Sequence, residues 1–361
     1  MTKSAQSTEH GACRRQVMPL ILLVVLLLTL HVSRLTAFSE EIQARAAVVM
    51  DAATGRVLYA KNPELRLMPA STTKLMTAII TAEKADLQDV VIVSRNAANV
   101  APTRSGFREG DRVTVQMLLY AALMKSANDA AVALAEAVAG SEEEFVQLMN
   151  RKALAIGATD TQFINPNGLP GKGQYTTAFD LAKIMRQAIK YPVLKEVLGT
   201  RITELSTESG KTVMVKNTNK LLWTDEEQLG GKTGFTQAAR HCFVCAGERA
   251  DNTLIVAVLG VPSRSELWKE TEGLMEFGSR VMLNQEEPVV YLTRADYDTE
   301  RITKASYTKK VKTTSKGKGK AKSKAKVKAK PKAKTNGKIM VKTKKAKKTS
   351  VAVKALDGTN G

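Results

Sequence analysis

Two spacings of apolar residues alternate along this chain, and the places where they change mark its elements. Ala46-Ala47-Val48-Val49-Met50-Asp51 and Arg56-Val57-Leu58-Tyr59-Ala60 flank the turn Ala52-Ala53-Thr54-Gly55, which predicts a hairpin of two β-branched runs. From Ser71 the spacing becomes helical, with Leu75, Met76, Ile79 and Ile80 on a core-facing stripe and Ser71 at the N-cap. Val90 to Val93 reads as a short strand, and Gly106 to Asp111 as a polar turn. A helix over about 114–124 follows, with Val115, Leu118, Leu119 and Leu123 on its apolar face. Ser126-Ala127-Asn128-Asp129 interrupts the pattern, and Ala130 to Ala139 and Glu142 to Ile156 resume it as helices. Asn165-Pro166-Asn167-Gly168-Leu169-Pro170-Gly171 is made of turn formers and must be loop, after which Phe179 to Ile189 is helical.

From about residue 200 the period shortens to that of strands. Thr212 to Lys216 alternates, Gly230-Gly231-Lys232-Thr233-Gly234 begins an extended segment, and Phe243 to Gly247 and Leu254 to Val261 are apolar strands. A helix from Leu267 to Leu283 closes the body, with Leu274, Phe277 and Val281 on one side. Strands at both ends around a helix-rich middle predict an α+β fold: one sheet assembled from both ends of the body, with an all-helical insert.

The two ends of the chain differ from the body. Lys3, Arg14 and Arg15 precede an apolar run from Val17 to Val32, followed by Leu35-Thr36-Ala37. This order predicts a secretory signal over residues 1–37, cut after Ala37. The 18 uncharged residues between Arg15 and Arg34 also suffice for an uncleaved anchor. The folded body is expected over 38–287, and 288–303, with the strand-like Val289-Val290-Tyr291-Leu292, as a linker or the remnant of a second domain.

Composition matters once it is located. Of the 361 residues, 43% are hydrophobic, enough for a sizeable core, and the formal charge is +20. Residues 301–361 hold twenty-one lysines and Arg301 against one acid, Asp357, so this segment carries +21 and residues 1–300 carry −1. A lysine at every second position, as in Lys322 to Lys330, repels itself and offers no core, which predicts a disordered tail over 304–361. For an exported protein its partners would be anionic wall polymers or membrane surfaces rather than nucleic acid. Cys13 precedes the apolar run, and Cys242 and Cys245 stand three apart in a strand. Residues at that spacing face opposite ways, so two separate buried thiols are expected, with neither a disulfide nor a zinc pair.

The chemistry available to the body is narrow. After the signal, His241 is the one histidine, in a strand, so neither a typical zinc site nor an ordinary serine–histidine–aspartate triad is supplied. A nucleophilic serine here would use a lysine base. Ser71 and Lys74 lie three apart on one helix face, within side-chain reach. A basic role for Lys74 requires a neutral amine, produced by burial or a neighbouring cation, and Lys232 in Gly231-Lys232-Thr233-Gly234 could be that cation. Ser126 and Asn128, at the break between helices, could add a hydroxyl relay and an amide donor.

Serine-x-x-lysine, serine-x-asparagine and lysine-threonine-glycine, in that order, resemble the motif set of the penicillin-binding and β-lactamase group. The segments Asp51 to Gly55, Pro69 to Met76, Gly106 to Asp111, Lys125 to Ala131, Asn165 to Leu169 and Lys232 to Thr236 narrow the resemblance. They are similar to the low-molecular-mass serine D-alanyl-D-alanine carboxypeptidases, over roughly Ala46 to Leu283. The resemblance implies an antiparallel sheet flanked by helices and a helical subdomain. It implies Ser71 as the acylated nucleophile, Lys74 as general base and Ser126 as proton carrier to the leaving group. Asn128, Lys232, Thr233, Gly234, Phe235 and Thr236 would bind substrate, with the N–H groups of Ser71 and Phe235 as oxyanion hole, and Arg264 is the candidate for the terminal carboxylate. No cofactor or metal is implied. Peptidoglycan stem peptides would be substrate and β-lactams covalent inhibitors. A D,D-endopeptidase would use the same groups, and an inactive polycationic wall binder is the reading from a different class. No glutamate-x-x-leucine-asparagine segment lies between Asn128 and Lys232, so the deacylation device of class A β-lactamases is not expected. The β-rich second domain and amphipathic terminal helix that many of these carboxypeptidases carry are not expected either.

Overall fold

A computed structural model describes residues 42–291 except 209 and 211; the expected signal segment and the lysine tract lie outside the described residues. The predicted hairpin is present as β1 (Ala46–Asp51) and β2 (Val57–Lys61), paired antiparallel. β7 (Gln228–Thr236), β8 (Arg240–Arg249), β9 (Asn252–Val261) and β10 (Val289–Tyr291) join it in a six-stranded sheet of order β10-β2-β1-β9-β8-β7. β1 lies directly against β9, so the two ends of the body share one sheet, as the pattern predicted. β10 (Val289–Tyr291) adds parallel to β2. The strand-like piece placed in a linker is therefore an edge of the main sheet, where its residues satisfy the backbone groups of β2.

Period-2 alternation sorts the strand residues onto two cores. Ala46, Val48 and Met50 of β1, Cys242, Val244 and Ala246 of β8, and Ile255, Ala257 and Leu259 of β9 face the helical side. Ala47, Val49, Phe243, Cys245, Leu254, Val256 and Val258 face the long last helix, Arg264–Met282. Cys242 and Cys245 are buried free thiols in different cores, as three-residue spacing on a strand requires. The result is an α+β sandwich with a helical subdomain on one face of an antiparallel-dominated sheet.

Numbered in chain order, the helices are α1 (Lys74–Lys84), α2 (Arg95–Asn99), α3 (Val115–Met124), α4 (Asn128–Ala139), α5 (Glu142–Ala155), α6 (Ala178–Ala188), α7 (Pro192–Gly199) and α8 (Arg264–Met282). α1 packs against α3, α4, α5, α6 and α7. Its first eight residues, Lys74 to Thr81, are all buried, so the expected stripe of Leu75, Met76, Ile79 and Ile80 is only part of a helix enclosed on every side. Each such side chain stabilises the packing by roughly 1.5–3 kcal/mol, which fixes α1 as the pivot of the site. Two small antiparallel pairs, β3 (Val90–Ile92) with β4 (Arg112–Thr114) and β5 (Ile202–Ser206) with β6 (Thr212–Lys216), flank the subdomain. Among the described residues no helix is long and apolar enough to cross a membrane.

Candidate active site

Ser71 lies within a 3-10 turn, Ala70–Thr73, that runs straight into α1. The cap positions fall on Pro69 and Thr73, and neither makes a side-chain cap bond. The expectation that Ser71 caps the helix is thereby corrected: the extra 3-10 turn moves the helix start past it. Ser71 Oγ stands 3.1 Å from Lys74 Nζ instead. Ala70, just before it, has φ 48°, a left-handed conformation that a non-glycine residue holds only at a cost of order 1–3 kcal/mol.

Lys74 is fully buried, and its Nζ contacts three oxygens: Ser71 Oγ, Asn128 Oδ1 at 2.7 Å and the Asn167 carbonyl oxygen at 2.6 Å. A neutral amine has two N–H groups and one lone pair. The two shorter contacts go to carbonyl-type oxygens, which can only accept, so in the neutral form they would take both N–H groups and leave the lone pair for the Ser71 hydroxyl. Burial holds this amine well below the usual lysine range, the charge of Lys232 lowers it further, and Asp129 opposes the shift. Among the described residues no carboxylate bonds Ser71 or Lys74 directly.

The second and third motifs meet on the other side. Ser126 has φ 63°, so both serines sit on or beside strained backbone. Backbone bonds from Ala127 N to Ala121 O and from Asn128 N to Thr103 O hold the break between α3 and α4 open at Ser126. Lys232 Nζ donates to Ser126 Oγ at 3.0 Å and to the Thr233 carbonyl at 2.8 Å. Burial pushes the Lys232 ammonium down to about 7. Asn128 uses its Oδ1 on Lys74 and one Nδ2 hydrogen on the Pro102 carbonyl, leaving a second Nδ2 hydrogen uncommitted.

β7 is the edge of the six-stranded sheet, so one side of its backbone is open, as expected for a strand along which a peptide could lie. Gly234 lets this edge pass the Ser71 turn: a Cβ there would stand 3.0 Å from both Pro69 O and Ser71 N. Thr233 Oγ1 pairs with Thr218 Oγ1 at 2.8 Å, and Thr236 Oγ1 accepts from Ala239 N. Phe235 is exposed and packs on the His241 ring at 4.4 Å. Arg264, the first residue of α8, lies over the Trp268 ring at 6.0 Å, and its charge, after burial, lowers the His241 pKa. Arg264 therefore shares the far end of β7 and β8 with Phe235 through His241, rather than contacting Ser71 or either lysine.

Two contributors have no side-chain signature in the sequence. Asn167 acts through its carbonyl, and the 165–171 loop that carries it packs directly on the nucleophile turn. Gly168 has φ +83°, and a Cβ on it would come within 1.9 Å of Ala70 O. Thr218 reaches Thr233 from the segment after β6 and carries no motif.

A serine 3.1 Å from a buried lysine amine, beside a second lysine–serine pair at a sheet edge, is the arrangement expected of the penicillin-binding group. The profile of the D-alanyl-D-alanine carboxypeptidase family matches residues 33–263, and the chain belongs to that family. It is 35% identical over 240 residues to the D-alanyl-D-alanine carboxypeptidase DacF of Bacillus subtilis, covering 65% of this chain and 62% of that protein. To DacC of Escherichia coli it is 35% identical over 264 residues, covering 68% of this chain and 65% of that one, so it spans somewhat under two thirds of either relative. A D-alanyl-D-alanine endopeptidase of Pseudomonas aeruginosa is 35% identical over 240 residues, covering 62% of this chain and 77% of that protein. The crystal structure of a D-alanyl-D-alanine carboxypeptidase from Mycobacterium tuberculosis superposes with a TM-score of 0.65 at 30% identity, over 70% of this chain and 96% of that one.

Proposed function

We propose that this chain is an exported serine-type D-Ala-D-Ala carboxypeptidase that removes the terminal D-alanine from peptidoglycan pentapeptides. The observation that carries this reading is the contact of Lys74 Nζ with Ser71 Oγ, with both other partners of the amine being carbonyl oxygens. Ser71 Oγ attacks the carbonyl carbon between the two D-alanines while its proton passes to Lys74 Nζ. The N–H groups of Ser71 and Phe235 receive the oxyanion, and the proximity of Gly234 to Ser71 N supports their convergence. The C–N bond then breaks, and Ser126 Oγ, held by Lys232, delivers a proton to the departing amine. Ser126 regains a proton from the one that Lys74 took up, which leaves Lys74 neutral again; water then attacks the ester while Lys74 accepts its proton, the ester C–O bond breaks, and that proton returns to Ser71 Oγ. Thr233, Thr236 and Arg264 would hold the terminal carboxylate, and the free Nδ2 hydrogen of Asn128 would meet a substrate carbonyl.

Similarity to the Pseudomonas endopeptidase favours one second reading, cleavage of D,D cross-links with the same groups. Digestion of purified muropeptides separates the two. Conversion of pentapeptide monomers to tetrapeptides supports the carboxypeptidase, loss of cross-linked dimers the endopeptidase, and no change in either refutes both.

The lysine tract would tether the enzyme to anionic wall polymers or lipid headgroups, each lysine adding about 1 kcal/mol near such a surface. A version truncated at Arg301 should lose salt-sensitive sedimentation with envelopes; equal sedimentation would refute the tether.

A further inference from the structure

Between β6 and the 3-10 turn Lys220–Trp223 runs Asn217-Thr218-Asn219, and both asparagines are buried. Asn217 Nδ2 donates to Leu198 O and Thr200 O, and its Oδ1 accepts from Asn219 N; Asn219 Oδ1 accepts from Leu221 N. The backbone of the residue between them is thereby fixed. Thr218 N–H donates to Met124 O at 3.1 Å, two residues before Ser126, and its Oγ1 lies 2.8 Å from Thr233 Oγ1. One residue outside the three motifs thus touches the segments that carry the second and the third.

We propose that Thr218 is a positioning residue for this site: its hydroxyl orients that of Thr233 toward a bound carboxylate. The inference rests on the serine acyl-transfer reading above. Each hydroxyl has one proton and two lone pairs, so a pair at 2.8 Å uses one proton between the oxygens and leaves one over. With Thr218 donating, the Thr233 proton remains for an anion lying along β7. Without that donor, the Thr233 hydroxyl is free to turn back onto a backbone carbonyl of its own neighbourhood, as threonine commonly does. The Met124 contact keeps the donor in register with Ser126, so the orientation is set relative to the nucleophile side of the cleft.

Thr218→Val keeps the side-chain volume and removes Oγ1; Thr218→Ser restores the oxygen. Acylation of the full chain by fluorescent penicillin should be about five- to tenfold slower in second-order rate for the valine variant, the loss expected of one neutral hydrogen bond. The loss should fall in the concentration for half-maximal rate and leave the limiting rate unchanged. The serine variant should stay within about twofold of wild type, and urea midpoints should agree across the three. Equal rates for Thr218→Val and wild type, or a loss that serine does not restore, overturn the inference. A wild type that never labels refutes the acyl-transfer reading instead. In that case a crystal structure of Thr218→Val decides: an unchanged Thr233 χ1 overturns the inference, and a turned one upholds it.

Discussion

Lys232 Nζ lies 3.0 Å from Ser126 Oγ, and this contact joins the sheet edge to the break between α3 and α4. It places a titrating cation where a proton must move. Burial holds Lys232 at about 7, and Lys74 well below its ordinary value, partly through Lys232 itself. The acylation rate by benzylpenicillin should therefore rise on the acid side as Lys74 loses its proton and fall above pH about 7 as Lys232 does. In Lys232→Arg the guanidinium keeps its charge, so the alkaline limb should move above pH ~9. Stopped-flow acylation across pH checks this; an unmoved limb assigns it to another group.

The same shifts set a stability trend. Both lysines have folded pKa values below those of the unfolded chain, so between about pH 7 and 10 the unfolded state binds more protons and stability rises with pH. Urea midpoints at both ends of this window should show the gain in wild type and a smaller one in Lys232→Met.

Gly168 should tolerate no side chain. Its φ of +83° and the 1.9 Å approach of a Cβ to Ala70 O mean that Gly168→Ala must displace the 165–171 loop and with it the Asn167 carbonyl on Lys74. A stability loss of about 2–4 kcal/mol is expected by chemical denaturation, with slower penicillin acylation. An unchanged midpoint would show that the loop yields freely.

Cys242 and Cys245 should be inert in the folded protein. Burial raises both thiols, Cys242 to about 12, so little thiolate is present near neutrality. Alkylation at pH 8 followed by peptide mapping should leave both unmodified until denaturant is added; modification of either in the native state would contradict their burial.

Penicillin should inhibit and not be consumed. Among the described residues no carboxylate hydrogen-bonds Ser71 or Lys74, and the sequence lacks the deacylating glutamate segment. Nitrocefin should give one burst per enzyme, and rapid steady turnover would refute the account.

Much of this was legible in the sequence because it depends on side-chain type and period. Continuous apolar runs over Phe243 to Gly247 and Leu254 to Val261 located the central strands, and the apolar stripe after Lys74 located the central helix. Ser71 and Lys74 were legible by spacing, Ser126 and Lys232 through the ordered motifs that resemble the family, and the structure brings the four together in two pairs. Three-residue strands such as Val90–Ile92 and Arg112–Thr114 are too short to fix both partners by periodicity, and β4 went unread. The helix Pro192–Gly199 follows Tyr191 with no side-chain cap to announce it. The 3-10 turn that displaces the cap from Ser71 is a matter of backbone strain at Ala70, which alanine does not signal. Asn167 contributes a backbone oxygen, which every residue has.

The central claim is that Ser71, served by Lys74, is the nucleophile. Intact-mass and peptide-level mass spectrometry after incubation with penicillin tests it most directly. The account predicts one penicilloyl adduct on Ser71 that is absent in Ser71→Ala and strongly slowed in Lys74→Met. An adduct on Ser126 or elsewhere, or none on wild type, would contradict it.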